Sequence, residues 1–135
     1  MTNMYMHDYF NNRYVKAYRK MKSLKNVELV NGSTDKISAF LNLMEVTCAF
    51  LKHYLNYQGL FQFDNWDVIR EAFYVELIDD GDVWIEALFL FEACNEKNFT
   101  DFEKLCLEFY NDEKFSIFEN LYQKFKHLED KHEKT

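Results

Sequence analysis

The chain has no proline, and only three glycines in 135 residues. All-β folds need turn residues at short intervals, and α/β folds usually place glycine where strands meet helices, so both classes are excluded. Gly32, Gly59 and Gly81 are spaced like punctuation between long helical stretches. Histidine is also scarce, with none between His53 and His127, and the only arginines are Arg13, Arg19 and Arg70. Cys48, Cys94 and Cys106 cannot form a complete set of pairs, and none has CxxC spacing. Each lies in an apolar run, so buried reduced thiols are expected. Charges interrupt every hydrophobic stretch and no targeting segment is visible, which leaves no membrane span and a cytoplasmic location as the expectation. A net charge of −7 excludes strong, loose binding to nucleic acid, which needs a basic footprint.

What is present is core material. The composition is 48% hydrophobic and 19% aromatic, with 14 Phe and 9 Tyr. A single domain spanning residues 1–135, with a charged tail from about residue 129, is the expected organisation. A chain of this length buries roughly two-thirds of its unfolded surface. The aromatic load reads either as a Phe-rich core or as an apolar surface used for association. Charge is divided along the chain. Tyr9 to Asn26 carries Arg13, Lys16, Arg19, Lys20, Lys22 and Lys25 with no acid, whereas acids dominate from Leu60 to Glu113. Such runs are solvated helix faces or steer association with a charged partner.

Hydrophobic periodicity predicts helices near Asp8–Leu24, Asp35–Tyr57, Asn65–Leu77, Asp80–Lys97 and Asp101–His127, the last with a break near Asn111. The first carries the stripe Phe10, Tyr14, Ala17, Met21 and Leu24. The second carries two stripes, one through Ile37, Met44 and Leu51 and one through Phe40, Leu43 and Phe50. It is therefore either the central helix or partly a subunit interface. Asp64, with Asp67 three residues on, opens the third helix; Asp79 or Asp80 can cap the fourth; Thr100 and Glu103 form a capping-box pattern before the fifth. The expected fold is all-α, an antiparallel up-and-down four-helix bundle with an extra short helix.

The stretch from Asp64 to Glu86, DNWDVIREAFYVELIDDGDVWIE, is more specific than amphipathic helix. Through Val68, Ile69, Arg70, Glu71, Ala72, Phe73, Leu77, Ile78, Asp79, Asp80, Gly81 and Trp84 it resembles the nucleotidyltransferase substrate-binding proteins. This HepT-like branch of the HEPN superfamily reads approximately S-P-R-E-V-I-R-E-A-F, then G-L-I-D-D-G-E-x-W. Phe50 to Leu55 before Gly59 is similar to the family's W-K-x-L-K-x-Y-L, and Arg13 to Met21 to its first-helix R-x-x-x-A-x-x-x-L. Ile117 to Leu121 fits more weakly. The resemblance implies a HEPN-like bundle that forms a homodimer and partners a small, separate nucleotidyltransferase, in some cases as a toxin–antitoxin pair. Toxin members carry an RNase site, Arg, four to six residues, His, any residue, Tyr, and the partner adenylylates that Tyr.

This chain departs from that site. Aligned without a gap, the three positions fall on Phe91, Glu96 and Asn98; aligned with an insertion, on Glu103, Glu108 and Tyr110. No register keeps Arg or His, so neither a proton-transfer imidazole nor a phosphate-binding cation is present there. The resulting expectation is a non-catalytic partner subunit of a nucleotidyltransferase, without cofactor or metal. The alternatives are a diverged HEPN ribonuclease and a stand-alone helical scaffold.

Six residues are candidates for an interface or groove. Arg70 and Glu71 are an ion pair or part of the subunit interface. Asp79 and Asp80, with Asp82, are capping residues or, less simply, cation ligands. Trp84 is an apolar anchor or a groove wall, and Tyr110 is a core tyrosine or a remnant modification site. The purified protein is expected to leave structured and unstructured RNA intact. Cleavage that disappears in a Glu96→Gln, Glu108→Gln double variant would overturn this and restore the enzyme.

Overall fold

A computed structural model describes residues 2–28, 33–56, 64–95 and 101–133, with side chains over 9–28, 34–55, 64–94 and 101–126. The described residues form six α-helices and no strand: α1 (Thr2–Leu24), α2 (Ser33–Asn56), α3 (Asn65–Tyr74), α4 (Gly81–Glu92), α5 (Phe102–Leu107) and α6 (Asp112–Glu133). Short 3-10 turns follow α4 at Ala93–Asn95 and α5 at Glu108–Tyr110. Among the described residues no helix is long and apolar enough to cross a membrane. Gly32, Tyr57, Gly59, Glu96, Lys97, Asn98 and Thr100, each assigned a role above, lie outside the described residues.

Helix α2 sits at the centre, against α1, α3, α4 and α5. Both of its apolar stripes are buried within the chain: Met44, Cys48, Leu51 and Leu55 on one side, Phe40, Leu43, Thr47 and Phe50 on the other. The structure thus takes the central-helix reading, and the second stripe is not left over for a subunit interface. On α1 the expected stripe is buried and is widened by Val15 and Tyr18. The buried residues form one cluster drawing on all six helices. Aromatic rings knit it together. Tyr14 stacks on Phe50 (5.2 Å between centroids), Tyr18 on Tyr122 (4.3 Å), and Trp84 meets Phe118 edge to face (5.4 Å). Most of the described aromatic residues are therefore core.

The α3–α4 corner differs from the expected one. Asp64 caps α3 as its sequence implies, its side chain accepting from the Asp67 amide at 2.9 Å. The helix ends at Tyr74 and not at Leu77, because Glu76 enters the left-handed region at φ 63°. The Leu77 amide then donates to the Ala72 carbonyl (2.8 Å) and the Glu76 amide to that of Phe73 (3.1 Å), a Schellman closure. Ending there turns Ile78 into the core, where it is 3% exposed. Asp80, at φ 52°, occupies the cap position of α4 but its side chain makes no capping bond, and Asp79 instead accepts from Asn120 of α6 at 3.2 Å. The expected carboxylate cap is thus corrected: a left-handed backbone aims the Asp80 side chain away from the amides it would cap. At α5 the cap position falls on Asp101, one residue after Thr100, also without a side-chain bond.

Cationic side chains tie α6 to its neighbours. Lys25, after α1, pairs with Asp112 and lies over the Phe115 ring at 5.6 Å. Its ammonium holds the Asp112 carboxyl below its ordinary value. Lys114 bridges Glu86 (2.7 Å) and Glu108 (3.2 Å), and the hydrogen bond to Glu86 raises its own pKa. Lys124 donates to the Glu76 carbonyl at 2.5 Å, bracing the strained corner.

A non-glycine residue in the left-handed region carries a penalty that glycine does not. Glu76→Gly keeps the backbone acceptor for Lys124, so the expected outcome is a gain of about 0.5–1 kcal/mol, read as a Tm rise of a few degrees in thermal unfolding. A loss of stability would show that the Glu76 side chain contributes more than its backbone costs.

Candidate functional site

Helices α3 and α4 run back to back in opposite directions. At one end the Asn65 amide donates to Glu92 (3.1 Å); at the other the Phe73 ring lies against Gly81. A Cβ on Gly81 would meet that ring at 3.3 Å, so glycine is what lets the ring lie flat on the first turn of α4. The two helices bury only one side. Val68, Ile69 and Ala72 of α3 and Trp84, Ala87 and Leu88 of α4 enter the core, while Trp66 (37%), Phe73 (50%), Ile85 (50%) and Phe89 (51%) remain exposed. Spacings of 66–73 and 81–85–89 align these on the outer faces of the two helices.

Between them runs an open groove of about 490 Å³, walled by Trp66, Arg70 and Phe73 of α3, by Asp82 and Ile85 of α4 and by Asp80 just before it. Two of the six sequence candidates, Arg70 and Asp80, meet here. Arg70 is 69% exposed and lies 4.0 Å from Asp67, one turn back, so its ion-pair partner is not the adjacent Glu71. Glu71 is half-buried and does not line the groove. Asp79 points the other way, toward Asn120. Trp84 is fully buried, which settles it as an anchor and removes it from any groove. Its Nε1 finds no hydrogen-bond partner among the described residues.

Tyr110 stands apart from the other candidates. It is 7% exposed; its hydroxyl donates to the Lys36 carbonyl at 2.5 Å, and the Lys36 ammonium lies 5.1 Å over its ring. Burial pushes its pKa well above the ordinary tyrosine value. Tyr110 is thus a core tyrosine, closed to a modifying enzyme while the chain is folded. At other positions where the family resemblance would place an RNase motif, Phe91 packs on the core, Glu103 is exposed, and Glu108 is held by Lys114. No histidine lines the α3–α4 groove, and among the described residues no group of three His, Cys, Asp or Glu is gathered to hold a metal ion. Aromatic anchors with one cation and two carboxylates at the rim can bind another surface.

Trp66 and Phe73 were not among the site residues expected from the sequence. The signal was the unbroken apolar stretch Ala72 to Val75, more than a one-sided helix can bury. The cysteine reading needs one correction. Cys48 and Cys106 are buried, but Cys94 is exposed, because the chain tightens into a 3-10 turn after Glu92 and rotates it outward.

Set against the known protein families and against curated proteins, the sequence matches none.

Burial raises the Cys48 and Cys106 thiols from 9.0 to about 12 and the Tyr18 phenol from 10.0 to about 12. The unfolded chain sheds these protons first, so their contribution to stability is complete below about pH 9 and declines as pH rises toward about 12. Thermal unfolding is expected to show a falling Tm over that window. A colorimetric thiol reagent at neutral pH should titrate Cys94 rapidly and the other two only on unfolding. Three equally fast thiols would contradict the packing of α2 and α5.

Proposed function

We propose that this chain is a non-catalytic binding subunit that pairs with a second copy of itself through the α3–α4 face. On this reading the fold is an antiparallel four-helix bundle of HEPN type working in the cytoplasm, and the dimer partners a small nucleotidyltransferase. The observation that carries the pairing is the exposed row Trp66, Phe73, Ile85 and Phe89 around a groove holding charges of both signs. A two-fold interface must be self-complementary. Arg70 and the Asp80–Asp82 pair on one face give each copy a cation to set against its partner's carboxylates.

The scale fits a modest dimer. Four large side chains near half exposure place about 350–400 Å² of apolar surface on each copy. With an interface about 60% apolar, the total buried is about 1,200 Å², the lower end of the specific range. This is smaller than the obligate interface of upwards of about 2,000 Å² that a free stripe on α2 would give. The partner enzyme is supported by the Asp64–Glu86 resemblance, and a nucleotidyltransferase gene beside this one, whose product co-elutes with the chain, is its test.

Light scattering at micromolar concentration is expected to give a dimer. Phe73→Glu with Ile85→Glu should raise its dissociation constant roughly a hundredfold or more while leaving helical circular dichroism unchanged. A wild type that is monomeric at tens of micromolar (about the concentration such an interface needs) would sink the pairing.

A further inference from the structure

Five of the cations on α1 and just after it fall into two groups. Lys22 and Lys25 are answered by acids of α6, Lys22 by Glu119 at 3.5 Å and Lys25 by Asp112. On the flank facing α2, Arg13, Lys16 and Lys20 line a second groove of about 330 Å³, opposite Asn42 and Val46. The spacing i, i+3, i+7 puts the three on one side of the helix, spread over about 10 Å along its axis. The ammonium groups of Lys16 and Lys20 have no hydrogen bond or ion pair among the described residues. Arg13 is held in place: its Nη1 donates to the Tyr9 hydroxyl at 2.6 Å, and its guanidinium lies 5.3 Å over that ring. Ala17 and Val46, 4% and 5% exposed, close the floor.

We propose that this α1–α2 groove binds a short polyphosphate chain, such as the triphosphate of a nucleotide. Three cations unneutralised by their surroundings repel one another, and an anion of several charges relieves that repulsion. The guanidinium offers a fork to one phosphate, the two ammonium groups offer point charges to the next, and the Asn42 amide supplies a neutral donor. The length selects a compact anion. A triphosphate lies within the span from Arg13 to Lys20, whereas a long nucleic acid would run from the groove onto a surface whose net charge is −7 overall. Screening over about 10 Å confines the attraction to the groove itself. Glu45, exposed and one turn from Asn42 on the same side of α2, is the neighbouring acid and opposes binding.

The test is calorimetric titration of the full chain with inorganic triphosphate at about 0.1 M salt, with ATP and an RNA decamer as further arms. Saturable binding of triphosphate and of ATP, one per chain, is expected. Lys16→Gln with Lys20→Gln should weaken both about tenfold or more. Glu45→Gln should tighten both by a small factor, about two- to fivefold, a change that damage to the fold would not produce. The Phe73→Glu, Ile85→Glu variant should bind as the wild type does, which separates this site from the α3–α4 face. No saturable binding, or binding indifferent to Lys16 and Lys20, would overturn the proposal. So would an RNA decamer bound more tightly than triphosphate through the same lysines.

Discussion

Helix α2 keeps only a narrow polar stripe, through Asp35, Ser38, Asn42 and Glu45, for solvent, and the rest of the fold is arranged to cover it. Its two stripes need neighbours on opposite sides, which α1 supplies on one flank and α3, α4 and α5 on the others. The aromatic residues of α6, Phe118 and Phe125, then reach α2 through Phe40 and Phe50. Covering a helix in this way uses the inner faces of the surrounding helices and leaves their outer faces to be decided by other needs. On α3 and α4 that outer face is aromatic; on α1 it is cationic.

Much of this architecture was legible in the sequence, because it rests on period and on punctuation. The stripe from Phe10 to Leu24, the double stripe of α2, the break at Asn111 and the Asp64 cap all follow from spacing or from side-chain chemistry acting within one turn. The failures share another cause. Glu76 and Asp80 hold left-handed conformations that neither residue announces, and they exist because burying Ile78 repays the strain. The exposed face of α3 was missed for a related reason. Where a helix is apolar nearly all round, as from Ala72 to Val75, period no longer tells inside from outside, and the neighbours decide.

The site was legible only in part. Arg70 and Asp80 were legible as polar residues flanking a turn, and the structure sets them on one groove with Trp66 and Phe73. Trp84 and Tyr110 drew attention through the family resemblance, but both are large and amphipathic, and the structure places them in the core. Electrostatics fared better than contacts. The acid-free run from Tyr9 to Asn26 was plain in the sequence, but which of its cations are neutralised depends on where α6 lies, and no local pattern encodes that.

The bond from the Tyr110 hydroxyl to the Lys36 carbonyl joins residues 74 apart in the chain. Closing a loop of that length costs more entropy than pairing the sequence-adjacent α1 and α2, so the joint is expected to form after that pairing. That joint ties the first turn of α2 to the turn before α6. Substitutions at this joint are expected to act mainly on the rate of unfolding, while those along the α1–α2 seam act on the rate of folding.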